Sequence, residues 1–73
     1  MWSDFRWIEW NLAKIAEHGV TVDECEWVVE ANKPRRSGDK FIAVGRTRSG
    51  RRIKVIYVMD DPMTVFVITA YPV

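Results

Sequence analysis

The sequence holds one cysteine, one histidine and no long apolar run. With Cys25 alone, neither an intramolecular disulfide nor an all-protein thiolate metal site can form, which points to a reducing, cytoplasmic setting. One His and one Cys are too few for a metal centre built on them, no Gly-rich phosphate loop occurs and no Ser-His-Asp set can be argued, so no metal and no cofactor are expected. The longest strongly apolar stretch, residues 65–70, is far short of the roughly 20 residues that cross a bilayer. The opening Met-Trp-Ser-Asp-Phe-Arg lacks the charged-then-apolar layout of a signal peptide. The expectation is a protein that is neither exported nor seated in a membrane.

Seventy-three residues hold material for one core, so residues 1–73 are read as a single small domain. A hydrophobic fraction of 48% with 29% charged residues excludes a disordered tail, and their even mixing excludes a coiled coil. Four Trp, three Phe and two Tyr enlarge a core that the short chain would otherwise leave thin. Trp7, Trp10 and Trp27 are expected to pack there or between helices, with an exposed Trp beside cations as a base-stacking alternative. Cys25 is expected to be a small buried hydrophobe.

The net charge of +1 hides a strong segregation. Residues 1–32 carry seven carboxylates against Arg6 and Lys14. Residues 33–54 carry Lys33, Arg35, Arg36, Lys40, Arg46, Arg48, Arg51, Arg52 and Lys54 against Asp39 alone. Like charges so crowded either pair with acids elsewhere in the fold, protect exposed strands from edge pairing, or serve a polyanion.

Phe5, Ile8, Leu12, Ile15 and Ala16 recur at spacings of three and four, which predicts an amphipathic first helix ending at His18, with Gly19 as its left-handed terminator. Phe5–Trp7 reads alternatively as a short leading strand. Thr21 followed three residues later by Glu24 is a capping box, so a second helix starts there and runs to about Ala31, before Pro34. Residues 33–40 read as a loop by composition. Phe41–Thr47, Arg51–Met59 and Thr64–Tyr71 read as strands, giving an α+β fold of two N-terminal helices on a three-stranded antiparallel meander.

The first hairpin turn decides which side chains share a face, because a slip of one residue inverts them all. A three-residue Arg48-Ser49-Gly50 loop places only Gly50 in the left-handed region and is preferred over a two-residue turn. It sets Arg46 opposite Arg52 and Val44 opposite Lys54, so Ile42, Val44, Arg46, Arg52, Lys54, Ile56 and Val58 share one face. Phe41, Ala43, Gly45, Thr47, Ile53, Val55, Tyr57 and Met59 line the other, which is expected to receive the helices.

Four segments then occur in order: Trp7-Ile8-Glu9-Trp10-Asn11, His18-Gly19-Val20-Thr21, Ala43-Val44-Gly45-Arg46-Thr47 and Val67-Ile68-Thr69-Ala70-Tyr71. Together they resemble the BrnT-type toxin family, and in particular short BrnT-like proteins. The resemblance implies the RelE/ParE toxin superfamily: helices on a twisted antiparallel sheet, metal-independent mRNA cleavage, and restraint by an antitoxin. The family's Ser-Ala-Arg ending reads Thr69-Ala70-Tyr71 here.

Metal-independent RNA cleavage needs a base for the ribose 2′-hydroxyl, cations for the phosphate and an acid for the departing 5′-oxygen. Arg46, Arg52 and Lys54 are the candidate phosphate clamp. His18 and Tyr71 are the candidate proton carriers, although His18 also reads as a helix C-terminal cap and Tyr71 as an amphipathic cap on the sheet. Arg35, Arg36, Arg48, Arg51 and Arg52 are the candidate RNA-binding residues. The expected partners are RNA, including ribosome-associated mRNA, and an antitoxin protein. Monomer and self-paired dimer are equally open. A non-catalytic RNA- or protein-binding module is the alternative reading.

Overall fold

The computed structural model describes residues 4–73. A five-stranded mixed sheet carries two helices: β1 (Asp4–Phe5), α1 (Glu9–Ala16), α2 (Val22–Ala31), β2 (Arg35–Ser37), β3 (Lys40–Arg46), β4 (Arg52–Asp61) and β5 (Thr64–Pro72). The strand order is β1-β5-β4-β3-β2. β1 runs parallel to β5, and every other pairing is antiparallel.

The three-stranded antiparallel meander expected from the sequence is therefore corrected. Its three strands form the centre of the sheet, and a short strand joins at each edge. Neither added strand has an apolar alternation to betray it. Arg35-Arg36-Ser37 lies wholly exposed, and it pairs because the two-residue Gly38-Asp39 turn, with Gly38 at φ 63°, folds it back onto β3. The expected loop over residues 33–40 is a hairpin arm in its second half.

At the other edge, the backbone of Asp4 donates to Met63 O at 2.8 Å and that of Arg6 to Val65 O at 2.9 Å. These bonds hold the start of the described chain in the sheet, so the first helix begins at Glu9 rather than Phe5. Asn11 sets the corner. It is fully buried, its Oδ1 accepts from Ile8 N at 2.7 Å, and its Nδ2 donates to Arg6 O at 3.0 Å. One side chain thus caps α1 and binds the strand before it.

The second helix starts as its sequence dictates. Thr21 Oγ1 accepts from Glu24 N at 3.2 Å, and Glu24 Oε1 accepts from Thr21 N at 3.0 Å. Gly19 adopts φ 67° after α1.

The core lies between the helices and one sheet face. Ile15 and Val20 enter from α1 and its exit, and Cys25 and Val28 from α2. They meet Ala43 of β3, Ile53, Val55 and Tyr57 of β4, and Val65, Val67 and Ala70 of β5. Val67 and Ala70 both point inward although three residues apart, because β5 bulges at Ile68: Ile56 pairs with Thr69 while Tyr57 pairs with Val67. The side chains of the opposite sheet face are half-exposed or exposed.

Candidate functional site

The β3–β4 turn builds the site. Gly50 takes φ 90°, Thr47 N donates to Arg51 O at 2.7 Å, and Arg46 pairs with Arg52 and Val44 with Lys54, which is the register expected from the sequence. Alternation then divides the cations between two faces. Arg35, Arg46, Arg52 and Lys54 belong to the open face, whereas Arg36, Arg48 and Arg51 lie on the helix side or at the turn.

A shallow cavity of about 400 Å³ opens on the free face, lined by Lys33, Arg35, Ile42, Val44, Arg52, Lys54 and Val73. Four cations reach it: Lys33 from the α2–β2 connection, Arg35 from β2, and Arg52 and Lys54 from β4. Among the described residues, the ion pairs are Arg6–Asp60, Lys40–Asp39 and Arg51–Glu24, so none of these four is neutralised by a carboxylate. An apolar floor of Ile42 and Val44 beneath like charges strengthens their field and suits an oxyanion such as a phosphate.

Three of the four expected catalytic residues are contiguous beside this cavity. Lys54 and Tyr71 are cross-strand partners, with Lys54 Nζ 5.9 Å from the tyrosine ring centroid. His18 meets the same ring edge-on, at 5.8 Å between centroids and 61° between planes. α1 runs along β5, which is what carries His18, two residues beyond the helix, to Tyr71. The Tyr71 phenol thus stands against both an imidazole and the ammonium of Lys54, which lines the cavity.

The remaining candidates go elsewhere. Arg46, expected in the phosphate clamp, turns over its own hairpin and donates from Nη1 to Gly50 O at 2.8 Å, outside the cavity lining. Arg51 Nη2 donates to Gly19 O at 2.9 Å and to Glu24 Oε1 at 3.1 Å, so it joins the turn to the start of α2. Arg48 lies over the Trp27 ring at 4.9 Å. Arg36 donates from Nε to Gly38 O at 3.0 Å and lies 5.9 Å from the Phe41 centroid. The converging set is Lys33, Arg35, Arg52 and Lys54 instead of Arg46, Arg52 and Lys54.

Sequence reasoning counted Lys33 in the basic segment without singling it out, since its convergence with Arg35 depends on β2 joining the sheet. Core or helix packing was the first reading of Trp10 and Trp27, with an exposed, base-stacking Trp as the alternative. Trp10 is 48% exposed, as Trp27 is 42%. Trp7 is half-buried, and its Nε1 donates to Glu26 Oε2 at 2.9 Å.

Burial, reinforced by Glu24 and Glu26, pushes the Cys25 thiol up from 9.0 to about 12, which matches a buried hydrophobe. Burial also raises Tyr57. The Asp61 carboxyl is held down chiefly by the Met63 backbone N–H in the β4–β5 turn.

Among the described residues, no group of three or more His, Cys, Asp or Glu could hold a metal ion, and no helix is long and apolar enough to cross a membrane. Set beside known families, curated proteins and solved structures, the chain matches none.

Proposed function

We propose that the protein is a toxin-like endoribonuclease that takes RNA onto its open sheet face. The observation that carries the reading is the convergence of Lys33, Arg35, Arg52 and Lys54, free of carboxylate partners among the described residues, on a cavity whose Lys54 also meets the Tyr71 ring, which His18 touches in turn. The ordered resemblance to BrnT-type toxins supports the same activity class. In this reading the four cations hold the scissile phosphate and its neighbours. Guanidinium forks bind two oxygens at once, and Lys54 adds a point charge as the oxyanion develops. His18 draws the 2′-hydroxyl proton, and Tyr71 returns one to the 5′-oxygen, so the ribose oxygen attacks phosphorus as the P–O5′ bond breaks.

A binding module that breaks no bond is the second reading. It is favoured by the way His18, Tyr71 and Lys54 meet, through ring edges and a cation over a ring.

Induced expression in a bacterial host separates the two. Growth arrest with fragmented mRNA, relieved by Lys54→Ala, supports cleavage; normal growth with RNA bound but intact supports the module. In vitro, single-stranded RNA affinity should fall with salt at a log–log slope of roughly −3, as four phosphate contacts require. No binding at low salt would end the ribonuclease reading and the RNA-binding form of the module, leaving a protein-binding one.

A further inference from the structure

A second element of the open face lies away from the cavity. Phe66 of β5 pairs with Val58 and so shares the face of Lys54. The Trp10 ring of α1 lies almost parallel to Phe66, at 11° and 6.2 Å between centroids. Trp10 remains 48% exposed. Lys14 Nζ sits 5.6 Å from its centroid, and the Arg6 guanidinium 5.6 Å from that of Phe66. Asp60 pairs with Arg6 at 3.1 Å, whereas Lys14 is outside every ion pair among the described residues.

Between this stack and the cavity the surface suits a polyanion. From Lys54 to Val58 is four residues of β4, about 13 Å of strand. The open-face positions in that interval are Ile56 of β4 and Thr69 of β5, with no carboxylate among them. A strand of RNA with phosphates at Lys54 and Arg52 therefore crosses uncharged ground before it meets an aromatic ring flanked by an ammonium.

Trp27 offers a contrast. It stands beside the β3–β4 turn in a hollow lined by Asp23, Glu24 and Arg48, where Arg48 covers its ring and the carboxylates repel phosphate.

We infer that Trp10, backed by Phe66, is a stacking platform for an unpaired nucleobase of the same RNA whose phosphates occupy the cationic cavity. This rests on the RNA-binding reading above and adds a subsite to it. A π-face is common to all four bases, so the platform selects single strands without selecting sequence.

The test compares two oligoribonucleotides of equal length and charge, one fully base-bearing and one with abasic sites, by titration at fixed low salt. The wild-type protein should prefer the base-bearing strand by roughly tenfold, the scale of one base stacked on an aromatic side chain. Trp10→Ala should reduce that preference to within about twofold and leave the salt slope unchanged, and Trp10→Phe should keep most of it. Trp27→Ala, an equally large truncation of an exposed ring, should leave the preference intact. A preference that survives Trp10→Ala, or equal binding of both strands by the wild type, overturns the platform while leaving phosphate binding in place. Failure of both strands to bind overturns the platform together with the RNA reading.

Discussion

The Asn32 side chain occupies the space where any other residue at position 45 would carry its Cβ. A Cβ on Gly45 would stand 2.6 Å from Asn32 Cγ and overlap Nδ2, the atom that donates to Val28 O at 2.8 Å at the end of α2. Gly45 is thus the point where α2 comes down onto β3, and its lack of a side chain serves close approach rather than a turn.

Gly45→Ala should destabilise the protein by about 1–3 kcal/mol, the usual range for overpacking, read as a lower urea midpoint at unchanged slope. Asn32→Ala alone should cost about 1 kcal/mol through the lost bond to Val28 O. The double variant should be more stable than the sum of the two losses implies. Strict additivity would show that the two residues do not share this space.

Asn11→Ala should cost about 1–3 kcal/mol, because it strands the Ile8 N–H and the Arg6 carbonyl at the β1–α1 corner. Asn11→Leu fills the same volume without the bonds and should be no better. Recovery of the melting temperature by leucine would mean that volume, not hydrogen bonding, holds the corner.

Arg51 and Arg52 are adjacent, carry the same charge and should behave differently. Arg51→Ala removes the contacts to Glu24 and Gly19 O and should lower stability by about 1 kcal/mol, given its partial exposure, with little effect on RNA affinity. Arg52→Ala should weaken RNA binding and reduce the salt slope by about 0.7, with stability almost unchanged. Equal losses of affinity from both would show that net charge, not the cavity, governs binding.

Cys25 should resist alkylation in the native protein at pH 8 and react rapidly in urea, since its thiol is fully buried and its pKa is pushed up to about 12. The unfolded thiol ionises from about 9 upward while the folded one stays protonated. The stability this provides is present below pH 9 and declines as pH rises towards 12. Melting temperature against pH should show that decline in the wild type and a shallower one in Cys25→Ala.

The helices and the central hairpin were legible because their signals are local. Thr21 and Glu24 cap α2 through contacts three residues apart, and Gly50 in a three-residue turn fixes Arg46 opposite Arg52. The edge strands were less so: the leading one stood only as an alternative over Phe5–Trp7, and the one over Arg35–Ser37 was read as a loop. Arg35-Arg36-Ser37 has the composition of a loop, and Asp4–Phe5 falls inside a helical periodicity, yet both pair because a turn and a neighbouring strand offer them backbone partners. Their addition brought Lys33 and Arg35 to the cavity.

Residue order by itself determined the two helices, the three central strands, the register of β3 on β4 and the segregation of charge, since each depends on spacings of a few residues. Tertiary structure alone decided the bulge at Ile68, the exposure of Trp10, and which cations bind the fold and which face solvent. Those outcomes depend on groups distant in sequence: Arg51 finds Glu24 across 27 residues and Tyr71 finds His18 on another element. Guanidinium groups alike in sequence are told apart only by what the folded backbone sets against them.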